Sequence, residues 1–171
     1  MTLVFLLEEA SMKTVLDIIL PQILPESVEF KTIPHKLKAW RQPDTKFIIV
    51  RDQDSGDCVQ IKEALKRLAE PYGRPVLICI ACRELESWYL GDLKAVSQAY
   101  GVDVSGLSRK SKFRNPDAIG NPKEEIRKLF PRHQQLDGAR KIAVHMDIEN
   151  NLSTSFNYFI SGVRKFVSSS E

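Results

Sequence analysis

Three short acidic runs hold the residues best suited to chemistry: Glu8-Glu9, Asp52-Gln53-Asp54, and Glu84 with Glu86. Each follows a stretch of apolar, strand-forming residues. Strands laid side by side in a parallel sheet would gather these acids on one edge. Carboxylates brought together repel one another, and their pKa values rise unless a cation neutralises them. Mg2+ or Mn2+ is the fitting ion: hard, oxygen-seeking, and commonly held by one or two carboxylates with water and phosphate oxygens completing the shell. Such ions serve displacement at phosphodiesters by stabilising the attacking and leaving oxygens. Taken singly, each acid is better explained as a solvated cap or turn: Asp52 or Asp54 for the helix starting near Asp57, Glu84 for a helix N-terminus. The combination of a strand-end Glu with a strand-end DxD favours metal. The residues alone do not choose between Glu8 and Glu9.

Other groups near these runs have two readings each. Arg51 and Arg83 abut the acids, either to bind a substrate phosphate or, the favoured reading, to pair with a carboxylate. On a helix running from Glu84, Glu84 and Trp88 share a face and Glu86 points away, so Glu84 is the one expected to reach the site. Arg109, Lys110, Lys112 and Arg114 flank Phe113, a basic stretch suited to a phosphate backbone or simply a solvated loop. Trp40 and Trp88 read as core or interface anchors. His35, His133 and His145 are scattered without ligand spacing, which leaves no soft-metal alternative.

The positioning elements follow from periodicity. Strands are expected over Thr2 to Leu7, Val28 to Ile33, Lys46 to Arg51 and Pro75 to Ala81. The continuous apolar core Phe47-Ile-Ile-Val50 is that of a strand covered on both faces. Helical spacing marks a segment capped by Ser11 and stopped by Pro25, a short one over Lys36 to Arg41, and another from Cys58 to Glu70. Strands alternating with helices predict an α/β fold whose mostly parallel sheet has about four strands and right-handed crossovers. Beyond Ala81 the reading is mainly helical, near Glu84 to Tyr100, Pro122 to Phe130, Ala139 to Asp147 and Ser153 to Val167, with loop signals from Gly101 to Gly120. Residues 1–171 are expected to form one domain, a sheet-forming half over 1–91 and a helical half over 92–171.

Composition constrains the class. With 43% apolar and 27% charged residues the chain is an ordinary folded protein. Its longest apolar runs are too short to cross a bilayer and its N-terminus has no basic leader, so a cytoplasmic protein without membrane contact is expected. Three cysteines cannot all pair within the chain, and Cys79 and Cys82, three apart on a strand, point to opposite faces. A net charge of +3 permits nucleic acid as a partner without requiring it.

The runs Phe5-Leu-Leu-Glu-Glu-Ala-Ser11, Val50-Arg-Asp-Gln-Asp-Ser-Gly-Asp-Cys58 and Ala81-Cys-Arg-Glu-Leu-Glu-Ser-Trp-Tyr-Leu-Gly-Asp92 resemble the family catalogued as domain of unknown function 4276. The resemblance continues through Lys112-Phe-Arg-Asn-Pro-Asp117 and Gly138-Ala-Arg140 to Ser155-Phe156. That family is regarded as related to the Toprim domains of topoisomerases, primases and the OLD (overcoming lysogenization defect) nucleases, in which a Glu after the first strand and a DxD after the third hold Mg2+. The resemblance implies a Toprim-like, Rossmann-like fold. It also implies Glu8, Asp52 and Asp54 as ligands of Mg2+ (or Mn2+), Glu84 as a further ligand or base, and a nuclease acting on nucleic acid, in bacterial defence beside a partner ATPase. The chain departs from the pattern at Glu9, where many Toprim domains have Gly, and at Met12, where OLD-type nucleases often have a further acid. His35 also runs straight into Lys36, where family members tend to have a longer polar loop. The alternative reading is a non-catalytic Toprim-like module that binds a partner ATPase or nucleic acid. A receiver-like phospho-acceptor ranks last, for want of a clear fifth strand and a suitable Lys after it.

Overall fold

The apolar runs fold as four strands: β1 (Thr2–Leu7), β2 (Glu29–Pro34), β3 (Thr45–Asp52) and β4 (Val76–Ala81). All pair in parallel, in the order β2-β1-β3-β4, in a computed structural model that describes residues 1–34 and 45–169. The helices are α1 (Ala10–Ile23), α2 (Cys58–Ala69), α3 (Glu86–Leu90), α4 (Leu93–Tyr100), α5 (Pro122–Leu129), α6 (Gln135–Ala143) and α7 (Thr154–Ser168). This is the expected α/β architecture with a helical second half. The helix expected over Lys36 to Arg41, with His35 and Trp40, lies outside the described residues.

Successive strand residues face opposite sides, so continuous apolar strands feed two cores. Leu3, Phe5, Ile48 and Val50 enter the larger one, with α1 and the helices of the second half. Val4, Leu6, Phe47 and Ile49 enter the smaller one under Leu65 of α2. Helices on both faces account for strands without alternation. Cys79 sits in the larger core, whereas Cys82 has Cys58 as its neighbour, so the CxxC spacing joins no pair.

The order fixes where a ligand can enter. From β1 the chain crosses to β2 on one side, then returns to place β3 and β4 on the other. The crevice at such a switch point opens beyond the carboxyl ends of β1 and β3. Leu7 pairs with Val50 and Asp52 with Ala81, so residues 8–9, 52–54 and 82–86 emerge at that edge.

Several helix boundaries differ from expectation. Ser11 does not cap α1; Glu9 occupies the cap position in extended conformation, and Ser11 is buried in the first turn. The segment expected as one helix from Glu84 to Tyr100 breaks at Gly91-Asp92, because Asp92 accepts from Ala95 N and begins α4 afresh. Gly91 is required there by close approach: a Cβ would collide with Asn151 Oδ1. The helix expected from Ala139 to Asp147 begins earlier, at Gln135, and ends at Ala143. Asp147 instead shapes a turn by accepting from the amides of Glu149 and Asn150.

The second half is joined to the sheet by a polar buttress. Trp88, fully buried between Phe156 and Phe159, donates its indole N–H to Ser155 Oγ at 3.0 Å. Asp117 accepts from Ser153 Oγ at 2.6 Å and Ser155 N at 2.7 Å, tying the turn Pro116–Ala118 to the start of α7. Lys46 Nζ donates to Phe166 O at 2.8 Å, linking β3 to the far end of that helix. No described helix is long and apolar enough to cross a membrane.

Candidate metal site at the sheet edge

Asp52 is the last residue of β3, paired with Ala81. Its Oδ1 is buried with no hydrogen-bond partner. Burial, and after it the charges of Glu86, Glu9, Asp54 and Glu84, push the carboxyl up from 3.8 to about 8. Four acids therefore act on Asp52 at this edge, and its Oδ1 is shut off from water.

The chain beyond β3 is stitched to the chain beyond β4. Gln53 N donates to Ala81 O at 2.9 Å, Asp54 N to Arg83 O at 2.8 Å, and Arg83 N to Gln53 Oε1 at 3.1 Å. Asp54 and Arg83 both take left-handed backbone, at φ 53° and 65°, which few non-glycine residues adopt and which is concentrated at functional sites. The turn positions Asp54 in solvent, whereas Asp57, not Asp52 or Asp54, caps α2 by accepting from Val59 N and Gln60 N.

The remaining acids have distinct surroundings. Glu8 Oε2 lies 3.4 Å from Arg51 Nε, so Arg51 does pair with a carboxylate. Glu9 leans across α1, accepting from Ser11 Oγ at 3.1 Å and from Gln135 Nε2 of α6 at 3.4 Å. Glu84 Oε2 accepts from Lys123 N at 3.0 Å and so caps the N-terminus of α5. Glu86, the first residue of α3, is 3% exposed, and its carboxyl is also pushed up, first by burial and then by the charges of Glu84 and Glu9.

Of the residues singled out from sequence, Glu8, Asp52, Asp54 and Glu84 all reach one edge. They surround it without converging: among the described residues no three His, Cys, Asp or Glu side chains form a group placed to hold a metal ion. The donor chemistry nonetheless suits a hard cation. Every candidate is a carboxylate, Asp52 Oδ1 lacks a partner, and Mg2+ commonly needs only one or two protein carboxylates.

Sequence reasoning set Glu86 aside in favour of Glu84 on a helix running from Glu84; α3 instead starts at Glu86, and Glu86 is buried whereas Glu84 caps α5.

The basic stretch is partly engaged. Lys112 Nζ is 2.6 Å from Glu125 Oε2 and Arg114 Nε donates to Arg109 O, while Arg109 and Lys110 are exposed with no ion pair among the described residues. Phe113 is buried and serves the core rather than a base.

The model of the family described as domain of unknown function (DUF4276) matches residues 7–164. The chain belongs to DUF4276. No curated protein and no solved structure matches the chain. The DUF4276 match takes in every acid described above and the Asp117 buttress that supports α3 and α7.

Proposed function

We propose that this DUF4276 domain is a Toprim-like enzyme, dependent on Mg2+ or Mn2+, that cleaves phosphodiester bonds in nucleic acid. The observation that carries the reading is Asp52: a strand-end carboxylate at the switch point of a parallel sheet, with one buried oxygen unpartnered and four acids acting on it. A bound cation supplies neutralising charge at the scissile phosphate and a water of lowered pKa. Asp52 would hold the ion, with Asp54 and Glu8 as the further ligands by resemblance. Arg51, now 3.4 Å from Glu8, is the cation placed to bind a substrate phosphate. Arg109 and Lys110, exposed and without an ion pair among the described residues, are the cations of that stretch open to a nucleic-acid backbone.

The test is cleavage of DNA and RNA with Mg2+ or Mn2+, beside the double variant Asp52→Ala, Asp54→Ala. Metal-dependent cleavage lost by at least ~100-fold in the variant supports the enzyme; equal cleavage by both proteins, or none by either, rejects it.

One observation favours a second reading, a non-catalytic module that binds a partner ATPase or nucleic acid. Glu8 is already neutralised by Arg51, and the acids do not converge on a three-ligand site. That reading predicts no heat of Mg2+ or Mn2+ binding in calorimetry.

A further inference from the structure

Among the described residues, three buried side-chain polar atoms lack a hydrogen-bond partner: Asp52 Oδ1, Tyr89 Oη and His133 Nε2. An unpartnered buried hydroxyl or carboxylate oxygen forfeits the hydrogen bonds it made to water, so each calls for an explanation. Two of the three belong to the last residue of β3 and to α3, the helix that follows the strand paired with it. Tyr89 is 1% exposed, and the carboxylates of Glu86 and then Asp52 are the charges that act on its hydroxyl most strongly.

The elements explain why they meet. β3 and β4 pair so that Asp52 lies beside Ala81, and the chain turns from Ala81 through residues 82–85 into α3. The face of α3 bearing Glu86 and Tyr89 is buried, and Leu85 just before it lines the same cleft as Asp52, Glu8 and Glu9. Glu86 is 3% exposed, and no cationic side chain forms an ion pair with it among the described residues. A buried carboxylate without an ion pair, a half-buried one whose Oδ1 has no partner, and a buried phenol without a partner leave two polar atoms here that protein groups do not satisfy.

We propose that Asp52 and Glu86 are the carboxylate pair that holds the divalent cation, with the Tyr89 hydroxyl directed at its inner shell as a ligand or as donor to a bound water. This rests on the metal reading above and changes its ligand set: Glu86 replaces Glu8, which stays with Arg51 at the rim. A two-carboxylate set completed by water is an ordinary one for Mg2+ and needs no third acid. A phenol is neutral and adds no further repulsion to an edge already crowded with acids.

Mn2+ binding followed by electron paramagnetic resonance tests this on the full chain. Wild type is expected to bind in the micromolar to millimolar range, Glu86→Gln to weaken binding about 10-fold or more, and Tyr89→Phe to weaken it several-fold. Glu8→Gln should bind within about 2-fold of wild type. An unchanged Glu86→Gln, or loss of binding in Glu8→Gln, overturns the proposal while leaving a metal site in place. Absence of binding by wild type overturns the metal reading itself, and this proposal with it. A second measurement needs no variant: in the unmutated protein, Mn2+ should broaden the NMR signals of Tyr89 and Glu86 at lower concentration than those of Glu8, and the reverse order also overturns the proposal.

Discussion

At the scale of single residues, Asp52 controls how this edge responds to pH. Its carboxyl is pushed from 3.8 to about 8, by burial first and by neighbouring acids second. The folded protein therefore keeps a proton that the unfolded chain gives up between about pH 4 and pH 8. The unfolded state binds fewer protons across that window, so this group's contribution to stability is full below pH 4 and falls as pH rises through 8. Asp52→Asn should match wild type below pH 4 and exceed it above pH 8 by more than about 1 kcal/mol, read as a melting temperature higher by several degrees. Mg2+ should narrow that gap at high pH by stabilising wild type alone; a gap independent of pH would count against a strained Asp52. The acid itself was legible, because a carboxylate directly after an apolar strand must sit at the sheet edge. Its true neighbours were less so. Choosing Glu84 over Glu86 depended on where α3 begins, and Leu85 takes helical backbone at the cap position without a side-chain cap bond to mark the start.

At the scale of elements, the strands read most clearly, since four apolar runs separated by helical spacing leave little choice of type. Helix ends read poorly where the capping group comes from afar. α5 is capped by Glu84, distant in sequence, and Ser11 lost the cap of α1 to the backbone of Glu9. The local cap at Asp57 is different, with both of its hydrogen bonds to amides inside its own helix. Asp57→Ala should cost about 1 kcal/mol and lower the melting temperature by about 2–4 °C. Because Asp57 stands apart from the Asp52 cluster, Mn2+ affinity should stay unchanged, which calorimetry would check.

At the scale of the whole molecule, alternation of strands and helices foretold a doubly wound sheet, and the order β2-β1-β3-β4 adds what the sequence could not state: the first and third strands are neighbours. That adjacency makes one crevice of acids separated by more than forty positions in the chain. The basic stretch was legible only as charge, since nothing in its local spacing foretold that Lys112 would turn to Glu125 and Phe113 to the core.

The last helix has a consequence for how the chain is made. α7 supplies Phe156 and Phe159 to Trp88, accepts Lys46 at Phe166, and meets Asp117 through Ser153 and Ser155. A growing polypeptide emerging from the ribosome has all four strands long before these partners leave the exit tunnel, and the part of the larger core not covered by α1 waits open to water or to a chaperone. Contacts between segments so far apart also slow folding. A chain ending at Asn150 should bind a hydrophobic dye and lose the near-ultraviolet signal of Trp88, as an arrested nascent chain would. The full sequence should gain both dye exclusion and a fixed Trp88 signal in a single step, once α7 is available rather than at completion of the sheet.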